Sequence, residues 1–332
     1  MNKSEIQTIG FLLFPGFPMA CLTSMIEPLR AANEIAQAER FAWQLVSETG
    51  ERVMSSAQVS FEPNCSLADA EELDVIILLS SPMAHFENAK SSPAKLRRME
   101  RAGRVMGAVS GGVFPLVRAG LMQGHRCSVH WCYEAAFRAE FPDIEVTDDV
   151  TVSEKMRATA SGAAAAFDLA LHMIDNTFGA DVAHEVACWF QHPLMRGKGV
   201  RQRVPMLDGT GPALPILVSK AAALFAQRIE DPISIAEVAD ALQVTPRQIE
   251  RSFKKATGQS PTHYYRSLRM KAARQLVLYS KDTLPEIALA VGYSSTTPLV
   301  QHYRTAFGLS PQEDREQIND FRVQGNMPLP SI

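Results

Sequence analysis

The feature that most limits how this chain can fold is a duplication near its C-terminus, within residues 234–315. One copy reads SIAEVADALQVTPRQIERSFKKATGQSP, the other TLPEIALAVGYSSTTPLVQHYRTAFGLSP. In the first copy Ile235, Val238, Ala239 and Leu242 fall on one face at helical spacing. Ser234 suits an N-cap, with Glu237 three residues on as the returning arm of a capping box. After a turn at Gln243 and Val244, Thr245 caps a second helix, Pro246 takes its first position and Gln248 closes another box. Ile249 and Phe253, four apart, point inward; Arg247, Glu250, Arg251 and Lys254 therefore point outward, and Gly258 stops the helix.

The second copy repeats the pattern. Ile287, Ala288 and Val291 form the inner face, Gly292 makes the turn, Ser294 or Ser295 caps, and Leu299 and Tyr303 match Ile249 and Phe253. Thr296, Thr297, Pro298, Val300 and Gln301 are left for the outer face, with Arg304 beyond. Both copies close on Gly-x-Ser-Pro, and a long helix over residues 262–279 joins them. One helix-turn-helix pattern is weak, because any short helical hairpin imitates it and its arginines are then merely solvated. Two in tandem with matching caps and terminators are far more specific for DNA binding.

These residues resemble the AraC/XylS family of bacterial transcription regulators over about a hundred positions. The resemblance implies an all-α domain whose two recognition helices enter successive major grooves of promoter DNA. It places base-facing positions on Arg247, Glu250 and Arg251, then on Thr296, Thr297, Val300 and Gln301; Gln248, Lys254 and Arg304 complete the DNA-facing set. The chain departs from the family at Gln301, where Arg is common. A neutral amide does not neutralise phosphate and prefers adenine edges, so the first unit is expected to supply more of the affinity.

The net charge of −3 looks wrong for such a role until it is divided: from residue 217 onward there are 14 Lys/Arg against 11 Asp/Glu. At 332 residues two domains are expected. No apolar run reaches membrane-spanning length and the N-terminus lacks a signal pattern, which predicts a cytoplasmic protein with no membrane partner. Five cysteines without a CxxC pair argue for a reducing compartment. His184 and His192 stand at no ligand spacing, so neither metal nor cofactor is expected.

Upstream, short apolar runs at residues 8–14, 41–47, 74–79 and 104–109 alternate with helical patterns at 19–37, 92–102 and 113–119. A helix over 133–140, short strands near Ile144 and Met156, and helices over 161–178 and 181–190 follow. The alternation predicts an open parallel α/β sheet with flavodoxin-like layering, which gathers ligands at the carboxyl ends of its strands. Ser110-Gly111-Gly112, between a strand and a helix, has the setting of a nucleophile elbow. Residues 192–215, rich in Gly, Pro and Arg, read as a linker. The expected division is 1–191, linker 192–215, DNA-binding domain 216–316 and a polar tail 317–332.

IGFLLFPGF with EPLRAAN, then GAVSGGVFPLVRAGLMQG, HW and ATASGAAAAFDLALHMI resemble the class I glutamine amidotransferase-like (PfpI-type) domain. More narrowly they resemble the sensor half of GlxA-type AraC regulators, over most of residues 8–190. Enzymes with this sheet use an elbow Cys, a nearby His and an acid after the first strand; here those positions hold Ser110, His130 and Cys21. A hydroxyl needs both a positioned base and an orienting acid, so the expectation is a catalytically inactive domain that keeps the elbow as a binding site. Ser110, Gly111 and His130 would offer hydrogen bonds, Trp131 an aromatic wall, Cys21 a small lining and Glu27 a charge. The plainer alternative is that these groups satisfy local backbone, core or surface. The resemblance implies a small nitrogenous effector (amino acid, quaternary amine or related), a homodimer and RNA polymerase as a partner. The competing class is a PfpI-type hydrolase or amidase with a DNA-binding tail, acting through Ser110 or Cys21.

Overall fold

The computed structural model describes residues 6–193, 199–202 and 214–321, and the chain divides into two compact units between Gln202 and Arg203. The first unit contains β1 (Gln7–Leu13), α1 (Met19–Ile35), β2 (Phe41–Ser47), β3 (Val53–Met54), β4 (Ser60–Phe61), β5 (Cys65–Ser66), β6 (Val75–Ser80), α2 (Ser91–Arg101) and β7 (Val105–Ser110). It continues with α3 (Val113–Arg118), β8 (Cys127–Ser128), α4 (Glu134–Glu140), β9 (Val146–Thr147), β10 (Thr151–Glu154), β11 (Arg157–Ala160), α5 (Ala163–Phe178) and α6 (Ala180–Trp189).

Seven strands form one sheet in the order β10-β11-β7-β6-β1-β2-β5. Every residue of β6 is buried, which is why it reads as an unbroken apolar run rather than an alternation. Alternate residues serve opposite layers. Ile9, Phe11, Ile77 and Leu79 pack with α1, α5 and α6, while Leu12, Ile76 and Leu78 pack with Leu96, Phe114 and Phe137 on the other face.

The open α/β sheet is parallel as expected save at one edge, where β10 runs antiparallel to β11. The strand expected near Met156 is present as the two arms of this hairpin, which turn at Lys155 and Met156, where Lys155 has φ +46°. A two-residue connection can join only antiparallel strands. One expectation needs correction: the stretch 192–215 is not linker from its start. His192 Nε2 lies 3.1 Å from the buried Asp168 carboxylate, and its ring stacks on Phe167. Val150 N donates to Val200 O at 2.8 Å, and Gln202 N donates to Asp148 O at 2.7 Å. A short edge pairing of this kind has no apolar periodicity to announce it.

The second unit is helical: α7 (Ile216–Gln227), α8 (Ile235–Ala241), α9 (Pro246–Thr257), α10 (Pro261–Tyr279), α11 (Leu284–Ala290), α12 (Thr296–Phe307) and α13 (Pro311–Phe321). Val218, Ala221 and Phe225 of α7 close a core with Val238, Ala239, Ile249, Phe253, Tyr265 and Leu268. Ile287, Ala288, Leu299 and Tyr303 are buried equally deeply in the second copy. Gly258 and Gly308 end α9 and α12 in the left-handed conformation. Each Gly-x-Ser-Pro is a start as well as a stop. Ser260 and Ser310 accept the N–H of His263 and Glu313 at 3.2 Å, and the prolines open α10 and α13.

α13 runs to Phe321, beyond the boundary expected at 316. Its first turn is pinned from below. Asp314 takes two bonds from Arg274, at 2.7 and 3.1 Å, and one from the Tyr303 hydroxyl at 2.7 Å. Arg315, 1% exposed, donates to the carbonyls of Leu276, Val277 and Asp282. Its charge makes it look like surface in the sequence, yet it plugs carbonyls at the end of α10. Residues 322–332, the rest of the expected tail, lie outside the described residues.

Candidate functional site

The duplicated units each expose one helix face. On α9, Arg247, Gln248, Glu250, Arg251 and Lys254 are all exposed, while Ile249 and Phe253 are fully buried. Two of the five have local duties. Gln248 Oε1 accepts the Thr245 N–H at 2.7 Å, which leaves only its NH2 end free, and Lys254 Nζ donates to Gly258 O at 3.0 Å. Arg247 and Arg251 make no hydrogen bond or ion pair with any described residue, so their full donor forks face outward.

On α12, Thr297, Gln301 and Arg304 are exposed, and Thr296 and Val300 are half-buried. Ser295 occupies the N-cap without a side-chain bond. Arg304 is the one cation of this face, and Glu313 lies 3.9 Å from it. The first face is thus the more basic.

In the first unit the elbow lies at the carboxyl end of β7, beside the end of β6, where Ser80 pairs with Ser110. Ser110 has φ +55°, the strained conformation of a strand-to-helix elbow. The bend is sealed from behind: a Cβ on Gly111 would lie 2.4 Å from Ser80 O, and one on Gly112 1.9 Å from Leu78 O. Ser110 is 7% exposed, and its hydroxyl makes no hydrogen bond to a described residue.

His130 follows β8 and is held below the ordinary imidazole value by burial. Its Nδ1 accepts the Cys132 N–H at 3.3 Å and lies 2.9 Å from Cys132 Sγ. A backbone N–H can only donate, so Nδ1 holds the lone pair and Nε2 the proton. Trp131 and Tyr133 flank the ring, with centroids 5.4 and 5.5 Å away. A Cβ on Gly162, at the start of α5, would meet the ring at 3.2 Å.

Cys21 is buried on α1, and burial pushes its thiol up to about 12. Glu27 is half-exposed and paired with Arg30 at 3.0 Å. No hydrogen bond or ion pair joins either residue to Ser110 or His130. Sequence reasoning puts Arg201-Gln202-Arg203 in the linker, as solvated charge or as a phosphate contact or domain brace, and does not place Gln202 at this site. Its Oε1 accepts the Trp131 N–H at 3.0 Å and its Nε2 donates to Val129 O at 2.8 Å, clamping the loop that carries His130. Its position in a Gly/Arg-rich stretch gave no signal. Among the described residues no group of three His, Cys, Asp or Glu could hold a metal, and no helix is long and apolar enough to cross a membrane.

A sheet of this topology followed by paired helix-turn-helix units defines a transcription regulator with a sensor-type first half. Residues 10–176 match the DJ-1/PfpI family and residues 238–317 a helix-turn-helix domain. The chain belongs to the AraC family of helix-turn-helix regulators that carry an amidotransferase-like DJ-1/PfpI domain. It is 33% identical over 310 residues to the HTH-type transcriptional regulator GbdR of Pseudomonas aeruginosa, covering 93% of this chain and 84% of that one. To the regulator ArgR of the same species it is 32% identical over 323 residues, 95% and 94% of the two chains. The crystal structure of an AraC family regulator from Pseudomonas putida shares its fold, at 24% identity and a TM-score of 0.50, over 55% of this chain and 99% of that one. Membership makes promoter DNA a partner.

Proposed function

We propose that this regulator responds to a small nitrogenous metabolite held over the Ser110 elbow, and grips its promoter mainly through α9. The observation that carries the reading is the elbow itself: a strained, closely supported Ser110 whose hydroxyl makes no hydrogen bond to a described residue. A site kept at such conformational cost suits a ligand that uses it. Ser110 offers a hydroxyl, His130 Nε2 a donor for a carboxylate, and the rings of Trp131 and Tyr133 a π-face for an amine or quaternary ammonium. The protein acts in the cytoplasm as a homodimer and contacts RNA polymerase.

The site binds and does not hydrolyse. A general base must present a lone pair to the Ser110 proton, but Nδ1 of His130 is engaged by Cys132 and Nε2 carries hydrogen. No carboxylate of a described residue orients the ring, and burial pushes the thiol at the family's acid position up to about 12, so it is protonated at neutral pH.

A thermal-shift screen of amino acids and quaternary amines tests the sensor, because a ligand of the folded state must raise Tm. A hit that is lost in Ser110→Ala and Trp131→Ala is expected; no hit across the class sinks the reading. For the DNA face, Arg247→Ala or Arg251→Ala should weaken promoter binding by about 1–3 kcal/mol, more than Gln301→Ala does.

A further inference from the structure

Between the two helix-turn-helix units lies a cleft of about 300 Å³. The segment entering α8, with Ser234, forms one wall; Thr262, Arg266 and Arg269 of α10 form the floor; Tyr293 and His302 of the second unit form the far wall. Two guanidinium groups line it and no carboxylate does, although the chain holds more acids than bases.

The two arginines are in different states. Arg269 is committed: Nε and Nη2 donate to Val291 O and Gly292 O at 2.7 and 2.6 Å, and the guanidinium lies 4.1 Å from the Tyr293 ring centroid. Its partner Tyr293 is bonded in turn to His302 Nδ1 at 2.8 Å. Arg266, one turn earlier, is exposed and makes no hydrogen bond or ion pair with any described residue. Its helical neighbours at three and four residues are Thr262, His263, Arg269 and Met270, so no acid is within reach along α10. The field is correspondingly positive. His302 is held below its ordinary value by burial first and then by Arg266 and Arg269.

The cleft is also firm. Gly292 fits against the approach to α8 so closely that a Cβ would lie 2.4 Å from Pro232 and 2.7 Å from Ile229 O. The two units therefore meet at its edge with little room to shift. The occupant must be an anion, reachable from the surface, that lies between two helix-turn-helix units. In such units the first helix crosses the nucleic-acid backbone, and α8 begins at this wall.

We propose that Arg266, with the hydroxyl of Thr262, binds one phosphodiester of the DNA strand that passes between the groove segments entered by α9 and α12. The proposal rests on the reading that both recognition helices engage one duplex. Arginine with a neighbouring hydroxyl is a usual composition for backbone contacts, which fix register without reading sequence. A free carboxylate or phosphate metabolite would share the chemistry, but small-ligand sites bury most of their guest, and Arg266 and Thr262 are both exposed.

The test is the salt dependence of binding by the full-length protein to its promoter fragment and to an unrelated duplex. Arg266→Ala should weaken both by the same factor and make the slope of log Kobs against log[salt] shallower by about one. Arg266→Lys, which keeps the charge, should restore the slope. An unaltered slope in Arg266→Ala, or a loss confined to the promoter, overturns the site. If the wild type shows no salt-dependent binding to any duplex, the DNA-gripping reading falls with it; if Arg247→Ala weakens binding while Arg266→Ala does not, only this site falls. Inorganic phosphate is the second probe. A rise in wild-type Tm that Arg266→Ala abolishes, with the DNA slope unmoved, would reassign the cleft to a free anion.

Discussion

Ser110 occupies a backbone region that costs an L residue on the order of 1–2 kcal/mol, and it stays there because the chain behind it has no freedom. Gly112 is the tightest point: the clashing atom is a backbone carbonyl of β6, not the end of a flexible side chain. Gly112→Ala should therefore destabilise the first unit by about 3 kcal/mol or more, at the upper end for overpacking. Gly103, with φ +84° and open space around it, isolates the conformational cost alone, and Gly103→Ala should lose only about 1–2 kcal/mol. Urea midpoints measured at unchanged m-value separate the two; equal losses would mean the elbow is less constrained than its geometry indicates. The thiols give a second residue-scale prediction. Burial pushes Cys21, Cys127 and Cys132 each up to about 12. At pH 8 only about one in ten thousand of such thiols is ionised. Iodoacetamide should then modify the exposed Cys188 first in the native protein, and peptide mass spectrometry that finds early modification at Cys21 would contradict this.

The helices of the two units begin differently, and the difference explains what could be read from the sequence. No helix from α1 to α6 has a side-chain cap; strands and loops deliver the chain to their starts. The second unit has capping boxes at Ser234/Glu237, Thr245/Gln248, Thr283/Glu286 and Ser310/Glu313. The first two are legible because a polar cap precedes an apolar helical repeat. The same cap-x-x-Glu spacing stands in the sequence at Thr283 and Ser310, but the structure is what shows those two boxes closed. Within the sheet, continuous apolar runs such as β6 declare themselves, whereas two-residue strands such as β8 and β9 carry too little pattern. Ser110 and His130 stood out through their setting and resemblance, while Gln202 acts through tertiary bonds that no local pattern encodes. The boxes also predict a pH response. Ser234 N–H and then its hydroxyl lower Glu237; the hydroxyls of Thr283 and Ser310, then their N–H groups, lower Glu286 and Glu313. A carboxylate whose folded value is depressed adds stability that is complete above its unfolded value, near 4.5, and is lost as pH falls through the folded value. The second unit should weaken on acidification below about pH 4.5. Gln at all three positions, which can cap as Gln248 does, should flatten that dependence while keeping helix content by circular dichroism. An unchanged acid profile would show that the boxes do not set it.

At the scale of the whole molecule, the proposed function requires the occupant of one unit to alter the equilibrium of the other, and the Gln202 clamp on the Trp131 loop is the tie in the first unit that such coupling would have to work on. The Gln202 side chain holds both Val129 O and the Trp131 N–H, and its backbone is tied to Asp148. Under the proposed site, a ligand that moves Trp131 would stretch or relieve this clamp. Coupling of 1–3 kcal/mol corresponds to roughly a 5- to 150-fold change in affinity, and it is reciprocal. In the wild type, the factor by which a saturating metabolite changes promoter affinity should equal the factor by which promoter DNA changes metabolite affinity. Gln202→Ala should leave basal DNA binding near its wild-type strength yet drive both factors toward one, because it removes the tie without touching the DNA-facing helices. Paired anisotropy and calorimetric titrations read the two factors independently. A Gln202→Ala protein that still responds in full would place the route elsewhere. Unequal factors in the wild type would mean that the two measurements do not report a single shared equilibrium.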